Sequence, residues 1–128
     1  MSKQIIRTEK APAPIGPYSQ AVKTSEFLFI SGQVAINPST NELVTDNIIN
    51  ETHQVMKNID AILKEAGLTF KHVVKTSIFL SDMNLFTQVN EIYAGYFDAE
   101  FPARETIAVK TLPKNVNLEI SITAVVHL

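Results

Sequence analysis

Arg104 stands directly after Pro102-Ala103, at the start of a short β-prone segment, and Glu119 lies in the alternating segment that ends the chain. Arginine presents a planar fork of donors that matches a carboxylate and keeps its charge at any working pH. A carboxylate such as Glu119 can orient or deprotonate a water. Thr106 shares the face of Arg104 on period-two geometry, and the turn Leu112-Pro113-Lys114-Asn115 places Glu119 one hairpin away. An arginine, a hydroxyl and a carboxylate converging from adjacent strands would bind a small acid and position a water beside it. The same three residues also fit a structural cross-strand Arg–Glu pair, and the pattern alone leaves both readings open.

Other chemistries find little support. The chain has no cysteine, so disulfides, thiolate catalysis, iron–sulfur clusters and cysteine-bound zinc are excluded. His53, His72 and His127 form neither a His-x-His nor a His-Glu-x-x-His pair, and no metal site is expected. Gly16, Gly32, Gly67 and Gly95 are too scattered for a phosphate loop, and there is no Gly-x-Ser-x-Gly elbow. Aromatic residues do not alternate with basic ones as a nucleic-acid platform requires, and the net charge is −2. The longest strongly apolar run, Phe27-Leu28-Phe29-Ile30, cannot span a bilayer, and the first residues lack a secretory h-region. The expectation is a cytoplasmic protein that binds neither nucleic acid nor membrane.

The elements that must position Arg104 and Glu119 belong to one domain, residues 1–128. The chain is 45% hydrophobic and 19% charged, with no linker, repeat or low-complexity tract. Ala11-Pro12-Ala13-Pro14-Ile15-Gly16-Pro17 is a stiff extended loop. It separates a strand at Gln4–Arg7 from a hairpin of Ser19–Lys23 and Phe27–Ser31, after which Gly32–Pro38 leaves the sheet. Asn50–Ala66 predicts a helix, with Val55, Met56, Ile59, Ile62, Leu63 and Ala66 on one stripe. Glu51, Lys57, Lys64 and Glu65 fall on its solvent side, and Gly67 ends it. A strand at His72–Leu80 leads to a helix capped by Ser81 or Asp82 and running to about Ala99.

Pro102 stops that helix; strands at Arg104–Lys110 and Asn117–Leu128 follow. The order β-β-β-α-β-α-β-β predicts an α+β fold in which two helices cover one face of a mixed six-stranded sheet. In the last strand Leu118, Ile120, Ile122, Ala124, Val126 and Leu128 face the helices. The opposite side carries Asn117, Glu119, Ser121, Thr123, Val125 and His127, polar but weakly charged, which suits either a subunit interface or a solvated face.

Five segments stand in one order: Ile15-Gly16-Pro17-Tyr18-Ser19-Gln20; Ser31-Gly32-Gln33; Lys75-Thr76 with Leu80; Phe101-Pro102-Ala103-Arg104; and Leu112-Pro113 with Leu118-Glu119-Ile120. Together they resemble the signature of the RidA (YjgF) family of reactive intermediate deaminases, over essentially the whole chain. The resemblance implies a chorismate-mutase-like fold and a homotrimer, with sheets around the three-fold axis, helices outside and clefts between subunits. It implies hydrolysis of imine and enamine acids, such as 2-aminoacrylate and 2-iminobutyrate released by pyridoxal-phosphate enzymes, to 2-keto acids and ammonia, with no cofactor.

By the same resemblance Arg104 binds the substrate carboxylate, and Glu119 orients or activates the water. Tyr18 lines the cleft from a neighbouring subunit. Backbone groups of Gly32 and Thr106 complete the site, with Ser31 and Asn90 nearby. Thr106 departs from the pattern, since many members carry cysteine there. A contact made through the backbone survives that change, while thiol chemistry does not, and the size and polarity of the cleft change at that point. The chemistry suits such a site, because an iminium carbon is already electrophilic and needs a positioned water more than a covalent nucleophile. Two other functions remain as expectations to separate: a regulatory trimer that binds keto or amino acids without turnover, and a ribonuclease or translation inhibitor, which the charge balance disfavours.

Overall fold

The computed structural model describes residues 2–128. Its strands are β1 (Gln4–Ile6), β2 (Ala21–Lys23), β3 (Phe27–Gln33), β4 (Ile36–Asn37) and β5 (Glu42–Leu43) before helix α1 (Ile48–Glu65), then β6 (Val73–Leu80). Helix α2 (Phe86–Ala94), β7 (Ala103–Ala108) and β8 (Leu118–Val125) complete the chain. Six strands form one mixed sheet in the order β1-β2-β3-β8-β6-β7, and β4 pairs with β5 as a separate small hairpin. The α+β class, the mixed six-stranded sheet and the two helices agree with the expectation. The β4–β5 hairpin was not anticipated; it turns through Asn41, whose φ of 61° is one that asparagine tolerates.

Period two decides what each strand buries. In β8 the side chains of Leu118, Ile120, Ile122 and Ala124 are buried, and in β6 those of Thr76, Ile78 and Leu80. They meet Val55, Met56, Ile59, Ile62 and Leu63 of α1, and Val89 and Tyr93 of α2, in one continuous core. Both helices therefore lie on the same face. Asn47 caps α1 by accepting the Asn50 N–H at 2.8 Å, so the helix begins slightly earlier than its apolar stripe suggests. Gly67, at φ +78°, follows its C-terminus in the left-handed conformation.

Four expectations are corrected. The strand of Arg104 does not form a hairpin with the strand of Glu119. β7 pairs in parallel with β6, as strands joined through a helical crossover do, and β8 enters antiparallel between β3 and β6. The alternating β8, buried along one whole side, thus takes the centre of the sheet, and the mostly exposed β7 takes the edge.

Helix α2 ends at Ala94 rather than near Ala99. Gly95 lies at the C-cap, and the chain then turns so that Tyr96 and Phe97 pack on Phe70, with ring centroids 5.6 and 5.4 Å apart.

Glu51, expected to face water, is completely buried. Its carboxylate accepts the backbone N–H of Asn117 (2.8 Å) and of Leu118 (3.1 Å), and the Asn117 side-chain amide (2.8 Å). These bonds replace the water that a buried carboxylate loses, and they tie the first turn of α1 to the start of β8. Leu128, expected to face the helices, lies beyond β8 and is exposed.

Candidate active site

The anticipated residues fall into two groups on opposite faces of the sheet. Across the strands Arg104 is level with Thr76 and Ile122, both buried towards the helices, whereas Glu119 is level with Phe79 on the outer face. Thr106 lies level with Ile78, on the same face as Arg104 as expected. The convergence of Arg104 and Glu119 from adjacent strands is therefore excluded: β6 lies between them, and the sheet itself separates their side chains. No cross-strand Arg104–Glu119 pair forms.

On the outer face, Tyr18, Ser31, Gly32 and Glu119 line one cleft of about 370 Å³, together with Ile15 and Lys114. The Pro-rich loop forms one wall. It is pinned by the buried carboxamide of Gln20, whose Nε2 donates to the carbonyls of Thr8, Ala11 and Pro12, while its Oε1 accepts the Thr8 N–H. A tight turn in which Tyr18 N–H donates to the Gly16 carbonyl at 2.8 Å sets the Tyr18 ring in this wall, and Ile15 N–H donates to the Tyr18 hydroxyl at 3.3 Å. The Ser31 hydroxyl donates to the Ser19 carbonyl at 2.6 Å, so its proton is engaged inside the protein.

Glu119 sits directly on Gly32. A β-carbon on Gly32 would lie 2.7 Å from the Glu119 Cδ, so the absence of a side chain at Gly32 is what makes room for the carboxylate. Glu119 is half-buried, and burial holds its carboxyl above the usual carboxylate range. With Ile15, Val34, Ile36 and the prolines around it, the cleft presents a basic carboxylate in largely apolar surroundings.

Lys114 at the lip was read from sequence only as a turn residue. Its left-handed backbone (φ 57°), shared by Asn115 (φ 56°), is what brings it there. A lysine in a Pro-Lys-Asn turn just ahead of the carboxylate-bearing strand was the available signal.

On the helix face, Arg104 projects from the edge strand against α2. Its Nη1 donates to the Asn90 side-chain oxygen at 2.7 Å. The guanidinium carbon lies 5.5 Å from the Phe86 ring centroid and 5.2 Å from that of Tyr93. The Tyr93 hydroxyl is hydrogen-bonded to buried Thr76 at 2.8 Å, and burial pushes its phenol up, against the opposing effects of Thr76 and the Arg104 charge. The Thr106 hydroxyl oxygen is buried without a hydrogen-bond partner, so its side chain is turned into the protein rather than offered to a ligand. Among the described residues no group of histidine and carboxylate side chains is arranged to hold a metal ion, and no helix is long and apolar enough to cross a membrane.

A family model described as Endoribonuclease L-PSP matches residues 8–126. A RutC family protein of Pyrococcus horikoshii is 50% identical over 122 residues, covering 95% of this chain and 97% of its own. The 2-iminobutanoate/2-iminopropanoate deaminase of Mus musculus is 48% identical, covering 96% of this chain and 91% of its own. The crystal structure of Escherichia coli TdcF with bound serine superposes with a TM-score of 0.93 at 37% identity, covering 97% of this chain and 99% of that one.

Proposed function

We propose that this chain, which belongs to the Endoribonuclease L-PSP family of RidA, YjgF and RutC proteins, hydrolyses 2-imino acids and their enamine tautomers to 2-keto acids and ammonia. The observation that carries the reading is Glu119: a half-buried carboxylate, raised in basicity by its apolar cleft and given room by the absence of a side chain at Gly32. Such a group suits a general base whose task is to take one proton from water. The mouse deaminase supports the reaction class. The serine in TdcF supports the ligand class, since 2-aminoacrylate is serine less one water.

In the proposed reaction the ligand carboxylate meets the Arg104 guanidinium. Glu119 accepts a proton from water as the oxygen bonds to the iminium carbon. The tetrahedral adduct then takes the proton back on nitrogen. As the C–N bond breaks and ammonia leaves, the adduct's hydroxyl gives its remaining proton to Glu119 and becomes the keto oxygen, and the departing ammonia takes that proton as ammonium. No electron transfer is needed, so the residues present can carry every step.

Arg104 and Glu119 of one chain face away from each other, so the complete site requires a second copy that brings its edge strand to the Glu119 cleft. The outer face of the sheet suits burial against such copies. It carries Ile5, Phe27, Phe29 and Ile107, all substantially exposed, and Phe29 is 47% accessible. Exposed apolar side chains of this size, set among Ser77, Ser121 and Thr123 on the same face, suit a subunit interface. We take the assembly to be a homotrimer with intersubunit sites.

The test is a coupled assay in which threonine dehydratase generates 2-iminobutyrate and 2-ketobutyrate appearance is followed. Acceleration by the protein is the expected result. Binding of 2-ketobutyrate without any acceleration would replace this reading by that of a regulatory ligand-binding protein.

A further inference from the structure

Arg104 is exposed on an edge strand, where an arginine ordinarily samples many rotamers or pairs with a nearby carboxylate. Here no carboxylate pairs with it, and neutral groups surround it. Its Nη1 is held by the neutral side-chain oxygen of Asn90, and its guanidinium carbon lies over two aromatic rings, Phe86 and Tyr93. No ion pair to Arg104 exists among the described residues; the two pairs present are Lys64–Asp60 and Lys75–Glu105. All three contacts come from α2, at positions 86, 90 and 93, whose spacing of four and three puts them on one side of the helix. Tyr93 is itself anchored, since its hydroxyl bonds Thr76 in the core.

We propose that Asn90, Phe86 and Tyr93 form a neutral clamp that immobilises the Arg104 guanidinium while leaving its charge uncompensated. These are positioning residues, acting through Arg104, and the inference rests on the proposed binding of a ligand carboxylate. The division of labour follows from the chemistry of each group. An aromatic face attracts the cation without occupying any of its N–H donors. An amide oxygen takes one donor and adds no negative charge. The remaining donors keep their fork for an incoming anion, and the rotational freedom that binding would otherwise remove is already lost. A carboxylate at position 90 would orient Arg104 equally well, yet it would neutralise the charge the ligand needs. Asn90, expected near the site, thereby acts as a tether on the arginine.

The experiment has two arms. In the ligand-free protein, nitrogen NMR of the arginine side chains reports guanidinium rotation, independently of any substrate. Slow rotation is expected for Arg104, and faster rotation in Phe86→Leu and in Asn90→Ala. Rotation as free in the wild type as in these variants would overturn the clamp, even if the hydrolytic reading stands.

The second arm measures 2-ketobutyrate affinity by calorimetry and KM for 2-iminobutyrate, with thermal melts to verify folding. Loss of one ring should weaken affinity about two- to fivefold. Asn90→Asp should bind more weakly than Asn90→Ala, although it is the closer mimic in shape and keeps the hydrogen bond. The reverse order would overturn the requirement for neutrality. Arg104→Ala identifies the source of any failure: unchanged 2-ketobutyrate affinity in that variant would refute the carboxylate-binding role of Arg104, and the rotation measurement would still decide whether the clamp exists.

Discussion

The carboxylate of Glu119 occupies the space that a side chain on Gly32 would fill. Gly32 lies on β3 and Glu119 on the neighbouring β8, close to the irregularity in register between Ile30 and Gln33. Gly32 does not adopt a left-handed backbone, so an added methyl group carries no conformational penalty of its own. Its only consequence is to displace Glu119. Gly32→Ala should therefore fold normally and melt close to the wild type, while turnover falls by about a hundredfold through misplacement of the base. Steady-state kinetics alongside a thermal melt separates these effects; undiminished turnover would show that the position of Glu119 does not matter to the reaction.

Glu119 should also set the acid limb of activity. Burial raises its carboxyl above the usual range, so activity should fall as pH decreases through that raised value, earlier than an exposed glutamate would dictate. Glu119→Gln should lower turnover by about 10²–10⁴-fold and leave 2-ketobutyrate affinity nearly unchanged.

Stability should move in the opposite direction. With the folded value above the unfolded one of about 4.3, the native state binds the proton more tightly, so the wild type loses stability as pH rises between the two values. Glu119→Gln should accordingly melt higher than the wild type at neutral pH, and the advantage should vanish below the unfolded value. Melting curves at both pH values check the sign.

Glu51 makes a structural prediction distinct from catalysis. Removing its carboxylate leaves the backbone donors of Asn117 and Leu118 and the Asn117 amide without partners inside the protein. Glu51→Ala should cost about 2–4 kcal/mol in denaturant unfolding. It should also reduce activity, because these bonds fix the start of the strand that carries Glu119.

Light scattering at micromolar concentration should give about three times the chain mass, the result the proposed homotrimer calls for. A charged residue placed at Phe29 should dissociate the assembly and abolish turnover together, since both depend on the same contact. A monomer with full activity would refute the intersubunit site.

Much of this arrangement was legible in the residues themselves. The stripe from Val55 to Leu63 and the terminating Gly67 identify α1, and the strict alternation from Leu118 to Ala124 shows which side of β8 is buried. Arg104 and Glu119 stood out by residue type and context. Strand order was not legible, because alternation reports the buried side of a strand and says nothing of its neighbours. The adjacency expected of Arg104 and Glu119 failed for that reason. Glu51 was misread for a related one: its partners, Asn117 and Leu118, lie 66 and 67 residues away, so local periodicity counts it as an ordinary solvent-facing acid. Lys114 reached the cleft through a left-handed turn that its own residue type does not announce.

Because Arg104 and Glu119 of one polypeptide point to opposite sides of its sheet, each chain supplies halves to two different sites in the proposed ring. A lesion in either half is then not confined to its own subunit, and neither is its rescue. Two inactive alleles, one lacking the guanidinium and one lacking the carboxylate, would regain activity when co-expressed, with about a quarter of the contacts in randomly mixed rings bringing two intact halves together. The same arithmetic makes a variant poisonous to its wild-type partner: at equal expression, about three-quarters of the sites would be inactive when a single chain is defective in both halves.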